Sequence, residues 1–477
     1  MIARFHSLPA WLAGLGLSVL PALSPAALAQ CESTPTGVPL IPSLPISGGR
    51  FGSSIGLSGD TIIVGADNPY QSPSHVFIFA KSGGFWTQQA SFSSIATALP
   101  YYGKGVAILG DLALIGHADN RTVYATVRTG TTWSSQQAIP YTESPAYALG
   151  SCIAMTTIGT RTVAIAGAPE YNGAYGSQGA AIVFTINPLA PGAAWGEAGF
   201  LTASDAAFQD IFGASVAISG SSAIIGAPLS DSAAGGATGS AYVFTGNGFG
   251  SGWTQQVKLV ASDAQAFDHF GSSVAISGDT AAVGAPNRAP GSIRGSGAVY
   301  IFTRTGGTWS QFARIDPGQT DGNFGASVAL QNDRLVIGSP LGSLPSDPSD
   351  TGYIALYERP AGSGIAGAWT LTSRFVPPVA VSGDSVGAAV VLGGTRIALG
   401  APTDDYNNQI DAGSISVVDI ARPCPADFDC SGSLAVADIF AFLNTWFSGS
   451  ATADFDGMNG LQVADIFAFL NAWFAGC

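Results

Sequence analysis

The stretch that decides the fold is FGSSVAISGDTAAVGAP, residues 270–286, which recurs almost unchanged as FGASVAISGSSAIIGAP at residues 212–228. Related units bring the number of copies to seven between residues 51 and 418. The other five begin at Phe51-Gly52, Tyr102-Gly103, Leu149-Gly150, Phe324-Gly325 and Val386-Gly387. Repetition at similar spacing predicts an architecture in which one structural unit is used seven times.

Each unit has the pattern of an antiparallel sheet. Around Val274 and Ile276 apolar side chains alternate with small or polar ones, which is the period of a strand. Gly278-Asp279 is typical of the tight turn between two hairpin strands. Val299 to Phe302 and Trp309 to Ile315 predict a third and a fourth strand. We therefore expect four antiparallel strands in every unit.

A sheet of this size has two faces and two edges to cover, and radial stacking around an axis covers both faces of every unit. The sequence thus predicts a mainly β fold, a seven-bladed β-propeller. Six of the nine Trp residues recur at one position of the unit, where packing between blades is favoured over a role in ligand binding. They are Trp86, Trp133, Trp195, Trp253, Trp309 and Trp369.

The recurring Phe-Gly and Gly-Ala-Pro ends resemble the FG-GAP repeat family over residues 51–418. This family is known from the propeller of integrin α-subunits and from bacterial exported proteins, and the resemblance implies a non-catalytic adhesion or recognition module. Integrin-type repeats often carry a D-x-D-x-D-G calcium loop between their first two strands. Here that turn is only Ser277-Gly278-Asp279, too short to surround a calcium ion, so we expect no metal in these hairpins.

Ring closure is predicted from the ends of the repeat region. The seventh unit stops after Ile415 to Val418, and no Trp-containing strand follows it. Residues 38–44 precede the first Phe-Gly as Leu259 to Asp263 precede a later one. We expect residues 38–44 to complete the last blade, which gives a propeller domain over residues 30–422.

One rim of this propeller is predicted to be acidic. Connections between second and third strands share that rim with connections between blades. It collects acidic, Tyr and Asn residues, namely Asp205, Asp210, Asp263, Asp268, Asp316, Asp321, Tyr70, Glu170, Tyr171, Asn172, Tyr175, Asp231, Asp347, Asp350, Asp404, Asp405, Tyr406 and Asn407. The Asp residues either cap turns by accepting backbone hydrogen bonds or form a binding surface for cations, sugars or a basic protein.

Composition and the N-terminus favour an exported protein. The chain has 31 acidic and 17 basic residues, so clustered Lys and Arg for nucleic-acid binding are lacking. Residues 1–29 have a basic residue, an apolar run interrupted by Pro and a terminal Ala27-Leu28-Ala29, the layout of a cleaved signal peptide; the alternative is a membrane anchor. No later stretch is long and apolar enough to span a bilayer. We expect a secreted or cell-surface protein.

A second region, residues 423–477, contains two copies of a loop followed by an amphipathic helix. The first loop places oxygen donors at the spacing of a twelve-residue calcium loop, with Gly432 at the sharp turn. The donors are Asp427, Asp429, Ser431, the Ser433 carbonyl and Asp438. The second loop offers Asp454, Asp456, the Gly460 carbonyl and Asp465 but has Met458 at the fifth position, which predicts weaker binding. The alternative is that these Asp residues cap the helices.

The duplicated loop and helix resemble a dockerin domain over Cys424 to Cys477, which implies attachment to a cohesin-like protein on a scaffold or surface. Val436-Ala437 and Val463-Ala464 stand where cellulosomal members usually have hydroxyl residues, so a standard cellulosomal cohesin is not the expected partner. The five Cys residues of the mature chain are Cys31, Cys152, Cys424, Cys430 and Cys477. A Cys424–Cys477 bridge is one hypothesis, and Cys430 competes for Cys477.

No catalytic residues are predicted. The mature chain has three His residues in separate units, and neither a G-x-S-x-G nor an H-E-x-x-H motif occurs. The leading hypothesis is an exported, non-catalytic binding or adhesion propeller held in place by a calcium-ordered docking tail. The alternatives are a polysaccharide-active hydrolase or lyase delivered by that tail, for which Asp404 and Asp405 are candidate carboxylates, and a structural surface-layer component.

Overall fold

The computed structural model describes residues 38–475 except 44, 70–72, 95–98, 143–146, 175, 190–192, 248–249, 290–294, 319–321, 345–349, 361–366, 407, 421–425, 427, 429–435, 451–452, 454 and 456–460. Pro35–Ile420 form one compact unit, and the two C-terminal helices belong to a second. Seven antiparallel sheets make up the first unit, which is a mainly β, seven-bladed propeller. The signal peptide predicted at residues 1–29 lies outside the described residues.

The blades follow one another along the chain, and each is built from consecutive strands. Blade 1 has β2 (Phe51–Ser58), β3 (Thr61–Ala66), β4 (His75–Ser82) and β5 (Phe85–Ser93); blade 2 has β6 (Tyr102–Leu109), β7 (Leu112–His117), β8 (Thr122–Thr129), β9 (Thr132–Trp133) and β10 (Gln137–Ala138). Blade 3 has β11 (Ile153–Ile158), β12 (Arg161–Ala168), β13 (Ala180–Ile186) and β14 (Gly196–Leu201); blade 4 has β15 (Ser215–Ser219), β16 (Ser222–Ala227), β17 (Ser240–Thr245) and β18 (Thr254–Leu259). Blade 5 has β19 (Ser273–Ser277), β20 (Thr280–Ala285), β21 (Ala298–Thr305) and β22 (Thr308–Ile315); blade 6 has β23 (Ser327–Gln331), β24 (Arg334–Ser339), β25 (Tyr353–Glu358) and β26 (Thr370–Phe375). Blade 7 has β27 (Ala389–Gly393), β28 (Arg396–Ala401), β29 (Ser414–Asp419) and the N-terminal β1 (Val38–Leu40).

The predicted ring closure is confirmed. Strand β1 pairs antiparallel with β29, and Leu40 lies opposite Ile415 in the core between blades 7 and 1. Its continuation also behaves like a fourth strand, because the Ser43 backbone donates to Gln88 Oε1 at 3.0 Å as the Ser262 backbone donates to Gln311 Oε1 at 2.9 Å. The strand itself covers only Val38–Leu40 of the predicted segment.

The glycines of the repeat explain how the blades approach one another. A β-carbon on Gly284 of blade 5 would collide with the backbone carbonyl of Gly325 in blade 6. The same contact joins every neighbouring pair, including Gly400 of blade 7 and Gly52 of blade 1. Only glycine permits this close approach of two backbones. The Gly of Gly-Ala-Pro in one blade and the Gly of Phe-Gly in the next therefore form a ring of seven contacts.

Aromatic residues pack between the blades, as predicted. In blade 5 the Phe270 ring meets Tyr300 and Phe302 edge-on, with centroids 5.5 and 6.0 Å away. Trp309 donates Nε1 to Gln256 Oε1 of blade 4 at 3.1 Å, and Arg304 lies over its ring at 5.1 Å. This buried Trp is a packing residue and is not available as a ligand platform.

Blade 2 departs from the predicted four strands. Its outer strand is divided into β9 and β10, which both pair with β8. Between them, Ser134 Oγ accepts a hydrogen bond from the Val127 backbone at 3.1 Å, while Thr126 Oγ1 donates to the Ser134 carbonyl at 2.8 Å. These side-chain bonds replace part of the regular ladder and interrupt the strand.

The second unit contains helices α1 (Val436–Phe447) and α2 (Val463–Ala475). Phe442 and Phe469 are fully buried and stack face to face with centroids 4.2 Å apart. Because the two residues are equivalent in the two sequence copies, the helices are related by an approximate internal duplication. None of the helices described is long and apolar enough to cross a membrane.

Candidate binding surfaces

The two rims of the propeller differ in their loops. The hairpin rim has the tight turns between first and second strands and the connections between third and fourth strands, which are short in blades 1, 2 and 5 and longer in blades 3, 4 and 6. The loop rim has the longer connections between second and third strands and between consecutive blades. The candidate surface is the loop rim, where the sequence places most of its acidic residues.

Several loop-rim carboxylates cap turns, which confirms the simpler of the two interpretations for them. Asp210, Asp268 and Asp384 are buried, and each accepts a hydrogen bond at Oδ2 from the backbone N–H three residues earlier, at 2.6 to 2.8 Å. Asp231 and Asp405 each accept from the backbone N–H six residues later, at 2.8 and 2.9 Å. These Asp residues hold the loops in shape.

Other loop-rim carboxylates form ion pairs. Asp263 in blade 5 accepts hydrogen bonds from Tyr300 Oη at 2.8 Å and from Arg288 at 3.0 Å, and it also contacts Arg314. These donors outweigh desolvation and lower the pKa of Asp263. In blade 4 the pKa of Asp205 is lowered in the same way by Lys258, which lies 2.7 Å away. Asp205 and Asp263 are thus neutralised by cations, whereas Asp231 in the blade 4 loop forms no ion pair among the described residues.

The loop rim of blade 7 is different because its carboxylates lack cations. Asp384, Asp404 and Asp405 form no ion pair within the described part of the chain. Burial, assisted by the two neighbouring carboxylates, raises the pKa of Asp384 to about 6. The pKa of Asp404 is raised by burial and by Asp405. Negative charge therefore concentrates on this side of the rim.

Exposed aromatic residues on the loop rim were not identified from the sequence. Phe208 is 67% and Phe267 54% exposed, in the connections that lead into blades 4 and 5. Phe267 has a φ of 67°, a conformation costly for an aromatic residue, and its backbone N–H bonds to the Gly236 carbonyl at 3.0 Å. Asp231, whose Oδ1 accepts from Ala237, lies in the same loop as Gly236. We call Phe208, Phe267 and Asp231 the phenylalanine patch.

The described residues contain no group of three or more His, Cys, Asp or Glu side chains arranged to hold a metal ion. His75, His117 and His269 lie in blade 1, blade 2 and the connection into blade 5, and burial lowers the pKa of each. Cys152 is a free thiol whose pKa burial raises to about 12. Cys31, Cys424, Cys430 and Cys477 lie outside the described residues, as do the disulfide hypotheses.

Most of the predicted calcium ligands also lie outside the described residues, namely Asp427, Asp429, Ser431, Ser433, Asp454, Asp456 and Gly460. The two that are described, Asp438 and Asp465, are fully buried in the first turns of α1 and α2. Asp465 Oδ2 accepts a hydrogen bond from the Gln462 backbone at 2.7 Å, which is a capping contact. Both loops thus end in a buried carboxylate at the base of a helix.

Each C-terminal helix also presents an exposed apolar stripe. On α1 the exposed residues are Val436, Phe440 and Phe447; on α2 the equivalent exposed residues are Val463, Phe467 and Phe474. Phe474 packs edge-on against Trp473, with ring centroids 5.2 Å apart, and Phe447 packs against Trp446 in the same way. The same surface is therefore built twice.

The family model described as "FG-GAP repeat" matches residues 195–244 and 253–302. Each match runs from the Trp-containing end of one blade through three strands of the next. The chain carries FG-GAP repeats. The matches cover the junctions between blades 3 and 4 and between blades 4 and 5 of this propeller.

Several solved structures are similar to this chain at low sequence identity. Kuenenia stuttgartiensis hydrazine synthase is 14% identical, with 80% of this chain and 97% of that chain covered and a TM-score of 0.48. Saccharomyces cerevisiae Sqt1 is 10% identical, with coverages of 81% and 99% and a TM-score of 0.43. A Pseudomonas aeruginosa periplasmic gluconolactonase is 11% identical, with coverages of 69% and 87% and a TM-score of 0.42. No curated protein matches the sequence.

Proposed function

We propose that this is an exported, non-catalytic binding protein whose FG-GAP propeller captures a protein ligand on the loop rim. The observation that carries the proposal is the phenylalanine patch, which has two exposed rings on hydrogen-bonded loops. Phe208 lies against Gly176 of blade 3, and Phe267 is bonded through its backbone to the blade 4 loop that contains Asp231. Exposed aromatics on rigid loops are typical anchors of protein interfaces. Asp231 forms no ion pair among the described residues, so the complementary ligand is a basic segment with apolar side chains.

The test uses the full mature chain and two amphipathic peptides of equal length, one of Lys and Leu and one of Glu and Leu. Calorimetric titration should show saturable binding of the basic peptide only. Phe208→Ser with Phe267→Ser should weaken it about tenfold, the equivalent of about 1.4 kcal/mol. Asp231→Asn keeps the loop-closing acceptor and should reduce the salt dependence of binding.

Phe85→Ser with Leu189→Ser is the matched control, because these two residues are 76% and 78% exposed on the hairpin rim. This variant should bind like the wild type. Equal losses in both double variants would overturn the assignment to the loop rim. Saturable binding on a glycan array without peptide binding would replace the protein ligand by a sugar.

The C-terminal helices support a second part of the proposal, attachment through a calcium-dependent, dockerin-like module. Asp427, Asp429, Ser431, the Ser433 carbonyl and Asp438 would hold one calcium ion; Asp454, Asp456, the Gly460 carbonyl and Asp465 would hold a weaker one. Asp438 and Asp465 fit this use by position, because each is the carboxylate at the twelfth place of its loop and lies at the base of a helix. Calcium would supply positive charge that orders the two loops.

Calcium titration of the full chain by calorimetry tests the ion sites. We expect two sites of unequal affinity, loss of the tighter one in Asp427→Ala, and loss of the weaker one in Asp454→Ala. Phe440→Ser with Phe467→Ser should leave calcium binding unchanged but abolish capture by a cohesin-like partner, since these residues belong to the exposed stripes. If neither Asp variant changed calcium binding, the proposal that this module binds calcium would be wrong.

A polysaccharide-active enzyme is the second candidate, favoured by one observation. Asp384, with a pKa raised to about 6, lies close to Asp404, whose pKa is also raised, and a carboxyl group that holds its proton at higher pH is the general acid of glycosidic bond cleavage. A hydrolysis screen on plant and microbial polysaccharides tests it. Turnover lost in Asp384→Asn would establish this activity, and absence of turnover would leave the binding function.

A further inference from the structure

The residue in front of each Phe-Gly pair, or of the pair that replaces it, has a left-handed backbone. Its φ lies between 49° and 61° in all seven blades, although none of the seven residues is a glycine. They are Arg50, Tyr101, Ala148, Ile211, His269, Asn323 and Ser385. Glycine would adopt this conformation without steric cost, whereas a β-branched residue such as Ile211 rarely does. Strained positions of this kind cluster at functional sites, so these side chains point to a use beyond the turn.

These seven residues surround the propeller axis on the loop rim. The first strands of neighbouring blades contact one another around the whole circle, so they are the innermost strands. Each of the seven residues lies where the connection from the preceding blade enters its first strand. All seven are half-buried, and no two of them are of the same type. We call this set of seven residues the axial ring.

A cation extends the axial ring at blade 2. Lys104 lies in β6, at a position where the other six blades have Ser or Ala. Its Nζ is 4.7 Å from the centroid of the Tyr101 ring, a cation–π contact. Lys104 forms no ion pair among the described residues, so its charge is available to a ligand.

Blade 1 brings an incompletely bonded carboxylate to the same place. Asp67 stands where most blades have the Pro of Gly-Ala-Pro, and its backbone carbonyl accepts from the Tyr101 N–H at 3.3 Å. The Asp67 side chain is only 9% exposed, and its Oδ1 is buried without a hydrogen-bond partner among the described residues. Arg50 Nη1 lies 3.8 Å from this oxygen, which is too far for a hydrogen bond. Such a buried oxygen is rare in folded proteins and marks a place for a further donor.

The chemistry of these groups selects a ligand that has both a hydroxyl and a carboxylate. A hydroxyl between Arg50 and Asp67 would accept from the guanidinium and donate to Oδ1. Lys104 suits a carboxylate, since a hydrogen bond between an ammonium and a carboxylate is about twice as strong as a neutral one. A neutral sugar lacks the group for Lys104, and a simple carboxylic acid lacks the group for Asp67. A uronic acid carries both groups on one ring.

We propose that the axial ring binds a uronic acid residue of an acidic polysaccharide on the side of blades 1 and 2. Lys104 binds the sugar carboxylate and Tyr101 positions Lys104, while Arg50 and Asp67 share a sugar hydroxyl. The Arg50 charge offsets that of Asp67, so the carboxylate of the ligand is not repelled. This site is separate from the phenylalanine patch, which belongs to the loops of blades 3 to 5.

Calorimetric titration of the full mature chain with trigalacturonic acid tests the proposal, with the methyl ester of the same trimer as the uncharged probe. The acid should bind saturably, and the ester should bind at least about tenfold more weakly. Lys104→Ser introduces the residue that blades 1 and 3 have at this position and should weaken binding of the acid about tenfold. Asp67→Ala introduces the Ala that blade 2 has at residue 118 and should weaken it by a similar factor.

Two further variants separate recognition from general charge. Arg161→Ser removes one positive charge from the hairpin rim of blade 3 and should bind the acid like the wild type. Tyr101→Ala introduces the residue that blade 3 has at position 148 and should weaken binding about threefold, because the cation–π contact is lost. Equal binding of acid and ester, no saturable binding of the acid, or equal losses in Lys104→Ser and Arg161→Ser would overturn the site.

Discussion

Blades 5 and 7 are two versions of one repeat. Blade 5 builds all four strands from consecutive residues, whereas blade 7 takes its outer strand from Val38–Leu40 at the other end of the domain. Ser273 of blade 5 donates to the next glycine carbonyl at 2.7 Å, but blade 7 has Ala389 at that position. The inner three strands therefore specify a blade. The outer strand can come from elsewhere in the chain, and the side-chain hydrogen bond to the next blade can be absent.

The largest expected effect comes from removing the borrowed strand. A chain that starts at Gly48 instead of Pro35 loses the pairing of β1 with β29 and the buried Leu40 side chain. We expect a loss of about 4 kcal/mol in unfolding free energy, since a buried Leu alone contributes about 2 to 5 kcal/mol. Thermal unfolding followed by circular dichroism measures the loss.

Blade 5 provides the comparison for this truncation. Leu259→Ala removes the residue of β18 that precedes blade 5 as Leu40 precedes blade 1, and it leaves the strand in place. It should cost less than the truncation. A truncated chain as stable as the wild type would show that β1 contributes nothing to closure.

The second effect concerns the glycine ring. Gly284→Ala and Gly400→Ala each drive a β-carbon into the carbonyl of the next blade, at the junctions 5/6 and 7/1. Because the obstacle is backbone, we expect about 3 kcal/mol of destabilisation in each, the upper part of the range for overpacking. Equal losses of stability would mean that the junction between blades 7 and 1 is as rigid as the junction between blades 5 and 6. A smaller loss for Gly400→Ala would show that blade 7, whose outer strand is β1, can shift relative to blade 1.

A third, pH-dependent effect distinguishes the loop rims of the two blades. The pKa of Asp384 is raised to about 6, so the folded state gains stability below the ordinary value of 3.8 and loses it as the pH rises through 6. Asp384→Asn keeps the oxygen that accepts from Val381 and should stabilise the protein by about 2 kcal/mol at pH 8 but not at pH 4. Asp268→Asn in the connection into blade 5 should gain less, because burial also raises the pKa of Asp268 but Arg288, 3.6 Å away, offsets part of that effect.

The smallest effect is that of one hydroxyl group. Ser273→Ala leaves the Gly325 carbonyl without its side-chain donor and should cost about 1 kcal/mol. Ala389→Ser supplies the missing donor towards Gly52 and should add up to the same amount. Urea unfolding of both variants measures the two changes. Destabilisation by Ala389→Ser would mean that the junction between blades 7 and 1 differs in geometry from the other junctions.

The sequence predicts much of the fold because the repeat signals its own boundaries. Four Phe-Gly starts, three variants of them and the turn at Gly278 define the inner strands, and the comparison of residues 38–44 with Leu259 to Asp263 predicts the closure. The division of the outer strand in blade 2 is not predicted, because it depends on Ser134 bonding across to Val127. A strand pattern does not show where a side chain competes with the backbone.

The candidate surfaces were harder to predict than the fold. The positions of the loops predict the acidic rim. They do not predict which of its carboxylates are paired with a cation, as Asp263 is with Arg288. The exposure of Phe208 and Phe267 has no signal in the sequence, because a Phe in a connection is as compatible with burial as with exposure. The predicted calcium loops have a clear sequence pattern and remain a prediction.

The position of β1 has a consequence for the order of assembly. Leu40 leaves the ribosome long before Ile415, its cross-strand partner, has been synthesised. Until β29 has been synthesised, β1 has no strand to pair with. Blade 7 lacks its outer strand until β1 pairs with β29. Closure of the propeller is therefore delayed until translation of the domain is nearly finished, and the ring stays open until then.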